Sequence, residues 1–216
     1  MRIGLIHALG HSIAPINAAF ARMWPEARRA NLLDDSLSAD LARQGSLDDA
    51  MTERFLTLAR YARKTGADGI LFTCSAFGPC IEACAADLAP IPVLKPNEAM
   101  IDEALQAAGP TGRVGLMATF APTLDSMPPE FAAAAPGMTL IPCLAEGALA
   151  ALDAGNGAEH DRLAAATARR LGDCDVIALA QFSLARAADG VAKASGKKVL
   201  TTPDSAVRKL RRLLEG

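Results

Sequence analysis

Cys74 is the residue of this chain whose type and place best suit chemistry. It closes the run Gly69-Ile70-Leu71-Phe72-Thr73-Cys74, an apolar stretch of strand length. Ser75-Ala76-Phe77-Gly78-Pro79 follow, and a helical pattern resumes at Cys80. In an open α/β sheet, ligands bind just beyond the carboxyl ends of the strands. A thiol there is placed to act as acid, base or nucleophile. Its thiolate needs a lowered pKa, which the backbone N–H groups of Ser75 and Ala76 are candidates to supply. The competing reading is a buried core thiol, since free cysteine is among the most buried residue types. Cys80 and Cys84, one helical turn apart, read as core, as do Cys143 and Cys174.

Other polar groups fall at comparable places. His7 ends the first predicted strand and is a candidate to bind a carboxylate or assist Cys74; a hydrogen-bonded structural histidine is the alternative. Thr119 and Phe120 end a later strand, and Gln181 and Ser183 follow another. Charge that develops beside a carboxylate must be met by N–H and O–H donors. The N–H groups of Ser75 and Ala76 and the Thr119 hydroxyl are the candidates, with Ser12 and Thr123 one loop further on. His160, between Glu159 and Asp161, reads as a surface residue at a helix start rather than a metal ligand. Glu146 also opens a helix, where the helix dipole accounts for it as well as catalysis does.

These groups need strands that end at them. Apolar runs predict strands at 2–7, 30–33, 69–73, 92–94, 113–118, 138–142, 175–180 and 198–201. Helical spacing predicts helices at 13–23, 47–64, 79–87, 97–105, 123–134, 146–153, 158–171, 183–194 and 204–214. Pro128-Pro129 is expected to break or restart its helix, and residues 34–38 read as polar loop. Strand–helix alternation of this kind means α/β with mainly parallel sheets.

The pattern repeats. Arg2-Ile3-Gly4-Leu5-Ile6 resembles Arg113-Val114-Gly115-Leu116-Met117, an offset of 111 residues. Asp68 to Cys74 aligns with Asp175 to Gln181 at an offset of 107, which carries on to place Pro96-Asn97 on Pro203-Asp204. An internal duplication follows: one α/β lobe from residues 1–97 plus 204–216 and a second from 98–203, pseudo-symmetric, with the site expected in the cleft between them.

Composition narrows the function classes. A formal charge of −2 over 216 residues leaves no footprint for nucleic acid. The basic cluster Arg208, Lys209, Arg211 and Arg212 reads as a solvated helix face. No stretch is long and apolar enough for a membrane helix, and the amino end reads as a strand rather than a signal peptide. Five cysteines without a CxxC pair suggest neither a disulfide framework nor a zinc site. A cytoplasmic setting is expected.

Three segments carry a family resemblance: Phe72-Thr73-Cys74-Ser75-Ala76-Phe77 after a strand, Val114 to Phe120, and Glu146-Gly147-Ala148 before a helix. They resemble the aspartate/glutamate/hydantoin racemase superfamily, which also holds maleate isomerases and arylmalonate decarboxylases. The loop from Gly155 to Asp161 is similar to that family's in spacing, and the resemblance spans nearly the whole chain. It implies a small carboxylate-bearing substrate and proton transfer at the adjacent carbon without cofactor or metal. Isomerase or racemase chemistry comes first and a decarboxylating lyase second. Racemases of the family place a second cysteine where this chain has Gln181, a position the repeat reaches independently from Cys74. What remains is a one-cysteine site, with Cys74 and Ser183 as catalytic candidates. His7, Ser12, Ser75, Ala76, Thr119, Phe120, Thr123 and Gln181 are the candidates for binding substrate. A non-catalytic sensor of small carboxylates on the same fold is the alternative, and assembly as a homo-oligomer is left open.

Overall fold

A computed structural model describes all 216 residues. The chain divides into two compact units, Met1–Asn97 with Ala206–Gly216, and Glu98–Ser205.

The first unit is built on four parallel strands, β1 (Arg2–His7), β2 (Arg28–Leu33), β3 (Gly69–Phe72) and β4 (Val93–Leu94), in the order β2-β1-β3-β4. Helices α1 (Ile13–Met23), α2 (Ser36–Gln44), α3 (Asp49–Lys64) and α4 (Gly78–Asp87) join them. β3 is buried throughout because parallel strands with crossover helices are covered on both faces. Asp48 caps α3 by accepting from the Met51 N–H at 2.8 Å. Phe55 of α3 lies 5.2 Å from Phe72 and 4.8 Å from Phe77 between ring centroids. Such pairs contribute about 0.5–1.5 kcal/mol each beyond area burial. They fasten the residues on either side of Cys74.

The second unit repeats the plan. Strands β5 (Arg113–Ala118), β6 (Thr139–Leu144), β7 (Val176–Leu179) and β8 (Lys198–Thr201) are parallel in the order β6-β5-β7-β8. Its helices are α5 (Glu98–Ala108), α6 (Ala121–Ala134), α7 (Ala148–Asp153), α8 (Gly157–Ala168) and α9 (Ala188–Ser195). Helix α10 (Thr202–Glu215) begins in this unit, and from Ala206 on it belongs to the first. There it packs so closely that a Cβ on Gly69 would meet Leu214 at 3.1 Å, so glycine opens β3. Arg211 donates to the Met23 carbonyl and pairs with Glu215, consistent with a solvated basic face.

The duplication extends to single hydrogen bonds. The Arg2 and Arg113 N–H groups each reach an aspartate, Asp68 and Asp175, at 2.7 Å. Gly4 pairs in register with Ile70, and Gly115 with Ile177. The two sheets therefore share one design, as the repeat implied.

Three expectations need correcting. Residues 36–44 form α2, which takes in the last three residues of the loop expected at 34–38. Leu37 is buried under it, and the Ser36 N–H and hydroxyl bond Asp34, which starts the turn. α6 runs unbroken through Pro128 and Pro129, held by Met127 and Phe131, both buried. His160 is not a surface residue: it is 0 % exposed, because it faces inward from the first turn of α8.

Candidate active site

Cys74 lies two residues beyond the end of β3, extended at φ −127 and ψ 124, and a 3-10 turn follows at Ser75–Phe77. It is the one half-open thiol; Cys80, Cys84, Cys143 and Cys174 are buried. Burial pushes the Cys74 thiol above its usual value of 9.0, against the opposing pull of the Ala76 N–H and the Ser38 hydroxyl; that hydroxyl also donates to the Ala8 carbonyl at 3.3 Å. The lowered pKa expected from nearby N–H groups is therefore not found, because desolvation outweighs them. A small and mainly apolar depression that includes Ala8, Leu37, Phe72 and Cys74 adjoins the sulfur. Cys84, deep in the core, is pushed up to about 12 by burial, as suits an inert structural thiol.

Beneath Cys74 lies a buried polar network. His7 ends β1 and is 0 % exposed. Its Nε2 meets Asn31 Oδ1 at 2.9 Å, and its Nδ1 meets Thr73 Oγ1 at 2.8 Å. Burial lowers the His7 pKa despite the Asn31 bond, so the ring is neutral at neutral pH. Asn31 Oδ1 accepts, so Nε2 carries the proton and Nδ1 accepts from Thr73. The Ser12 hydroxyl donates to the Leu9 carbonyl at 2.7 Å and lies 2.9 Å from Thr73 Oγ1. His7 and Ser12 thus hold the residue directly before Cys74, and neither ring nitrogen is left for a ligand.

In the second unit, Gln181 lies two residues beyond the end of β7, extended at φ −141 and ψ 144, with a 3-10 turn at Phe182–Ala187 behind it. It occupies the place that Cys74 holds in the first unit. Its Oε1 accepts from the Thr119 N–H at 2.6 Å and the Thr119 hydroxyl at 2.9 Å. Thr123 is buried in the first turn of α6, and Phe120 stands 49 % exposed before it. Ser183 is half-buried and bonds no base. The structure thus joins His7, Ser12, Thr73 and Cys74 in one unit, and Thr119 and Gln181 in the other.

Sequence reasoning missed Ser38 and Asn31. Ser38 was hidden because residues 34–38 looked like plain loop; the sharper sign was Asp-Asp-Ser ahead of apolar Leu37 and Leu41, a helix-start pattern. Asn31 falls in a strand and reveals itself only through its bond to His7. His160 pairs through Nδ1 with Asp161 at 2.8 Å, and Asp161 also accepts from Arg186. No cluster of three or more His, Cys, Asp or Glu side chains is assembled for a metal.

A sequence profile described as Asp/Glu/Hydantoin racemase matches residues 14–210. The chain belongs to that family. Solved structures of similar fold include allantoin racemase from Klebsiella pneumoniae, at TM-score 0.73 and 20% identity over 100% of this chain and 88% of that one. The Picrophilus torridus aspartate racemase gives TM-score 0.73 at 10% identity, over 99% and 94%. Unliganded arylmalonate decarboxylase gives 0.66 at 20% identity, over 100% and 93%. No curated protein matches the chain in sequence. At such identities the neighbours establish the racemase-family fold, and the chemistry of this member has to be argued from its own residues. No helix is long and apolar enough to cross a membrane.

Proposed function

We propose that this racemase-family protein is a cofactor-independent enzyme that moves a proton at a carbon next to a carboxylate or carbonyl, with Cys74 as the acid/base group. The observation that carries this reading is the setting of Cys74. It is partly exposed at a strand end, with the Ala76 N–H and the Ser38 hydroxyl opposing the effect of burial on its thiol, while every other thiol is buried. Burial keeps it protonated at neutral pH, so it enters the reaction as an acid. That supports a reaction in which the carbanion forms before Cys74 acts. Loss of CO₂ from a malonate-type acid leaves an electron pair on the central carbon. The S–H proton moves to that carbon, and the thiolate regains a proton from water. Isomerisation or racemisation must instead begin by deprotonating the thiol. Two-thiol racemisation would further need a second titratable group where Gln181 stands, and an amide does not titrate near neutral pH.

A second reading, a non-catalytic sensor of small carboxylates, is favoured by that same Gln181. One experiment separates the two. The protein is incubated in deuterium oxide with a panel of 2-amino acids, hydantoins and malonates. Deuterium incorporation or CO₂ release, lost in Cys74→Ala, is the expected result. Tight binding with neither would establish the sensor.

A further inference from the structure

We infer that Gln181 is a substrate-contacting hydrogen-bond donor whose direction is fixed by Thr119: the second unit supplies a clamped amide N–H for a carbonyl or carboxylate oxygen at the place where the first supplies a thiol. This rests on the carboxylate or carbonyl substrate class proposed above.

The clamp settles the direction of the amide. The oxygen and nitrogen of a glutamine are ordinarily assigned from the network around them. Here the Thr119 backbone N–H can only donate, and it lies 2.6 Å from the amide atom it faces. That atom must be the oxygen, since two N–H groups would repel at this distance. The Thr119 hydroxyl donates to the same atom at 2.9 Å. Nε2 is therefore the free end. It has no acceptor within the protein, and it is not among the buried polar atoms without a partner.

Three consequences follow from this geometry. First, two donors on the amide oxygen polarise the group and strengthen its N–H as a donor. Second, a side chain already held in place loses little freedom when it binds. Third, Thr119 has spent both of its donors, so it acts through Gln181 as a positioning residue and not as an anion binder in its own right.

The surroundings define what the amide would take. The residues beyond β5 and β7 are Thr119, Phe120, Gln181, Phe182 and Ser183, none of them charged. Phe120, beside Thr119, stands 49 % exposed and offers an apolar face. This station suits an acceptor oxygen on a substrate with an apolar substituent, and these five residues carry no carboxylate with which to recognise an ammonium group. The amide cannot deliver a proton. It can only hold oxygen charge; with Cys74 as the one group proposed to deliver the proton, the product has a single hand.

Side-chain amide ¹H–¹⁵N spectra test the inference, with malonate as the probe. They are recorded on the wild type and on Cys74→Ala, in which the probe is not turned over. The Gln181 pair is identified as the one absent from Gln181→Glu. It is expected to shift on adding malonate, equally in both proteins. Gln181→Met keeps the bulk but removes the donor, and should weaken malonate binding about tenfold or more. Thr119→Val should weaken it severalfold by freeing the amide, and Thr119→Ser should restore it. A Gln181 pair unmoved by malonate and by the rest of the carboxylate and carbonyl panel overturns the inference, as does wild-type affinity in Gln181→Met. Because binding is read without turnover, failure here is distinct from failure of Cys74 as the proton donor, which only deuterium exchange reports.

Discussion

The two units share a sheet order, a glycine in the first strand and an aspartate holding that strand's first N–H, yet they end their third strands differently. β3 runs out into Thr73 and Cys74, and β7 into Ala180 and Gln181. In the first unit the polar support comes from below: neutral His7, pinned by Asn31, accepts from Thr73 and so fixes the backbone that carries the thiol. In the second unit β1's histidine has Ala118 as its counterpart, and the support comes from the side, through Thr119 to the glutamine amide. Even the exposed apolar residues match: Leu9 at 48 % and Phe120 at 49 % lie 111 positions apart. A duplicated scaffold therefore conserves backbone geometry while each copy is free to change the group presented at a strand end. One copy holds a group that can titrate, the other an amide that cannot.

Breaking the titrating half should have the largest effect. Cys74→Ala is expected to lower deuterium incorporation or CO₂ release by about a thousandfold, the usual scale for losing a general acid or base. Its melting temperature should stay close to that of the wild type, since Cys74 is only partly buried and the change removes a single sulfur atom. Activity that survives in this variant would remove Cys74 from the mechanism. Making the halves alike is the complementary experiment. Gln181→Cys installs a thiol at the matching position and should turn a product of one hand into a mixture, read by chiral chromatography. A product that keeps its hand would mean that the two strand ends are not functionally equivalent.

Loosening the support should cost less. Thr73→Val removes the hydroxyl that donates to His7 Nδ1 at 2.8 Å and leaves that buried acceptor only the longer 3.3 Å contact with the Ser12 hydroxyl. About 1–3 kcal/mol of stability should be lost, measured by urea unfolding, together with a fall in activity that the equally conservative Thr65→Val does not produce. Ser38→Ala is subtler. It removes a hydroxyl that opposes the upward push of burial on the Cys74 thiol, so the thiol pKa should rise further and alkylation by iodoacetamide at fixed pH should slow severalfold. An unchanged alkylation profile would mean that Ser38 does not stabilise the thiolate. The smallest effect is that of His7 on pH stability. Its folded pKa lies below the ordinary 6.5. The unfolded chain therefore binds the proton first as pH falls, and stability, fully present above 6.5, is lost as pH drops through the folded value. Substituting His7 with Gln should flatten that loss, as read from unfolding curves recorded across the acid range.

Much of this was legible in the sequence. Apolar runs and their period specified both sheets, because a parallel strand covered on both faces must be apolar throughout. The 107-residue offset alone aligns Gln181 with Cys74 in the repeat, because one backbone plan needs the same residue types at the same turns. Other features depend on residues far apart in the chain. That Thr73 sits on His7, 66 residues away, and that Gln181 sits on Thr119, 62 away, follows only from how β1 lies beside β3 and β5 beside β7. The sequence also could not decide the charge state of Cys74. Local N–H groups argued for a thiolate, and only the packed surroundings reveal that desolvation outweighs them. Residue type and spacing determined which groups stand at the strand ends. The tertiary structure decided which of their atoms are free and which proton each one holds, because both depend on burial and on partners that the order of residues does not name.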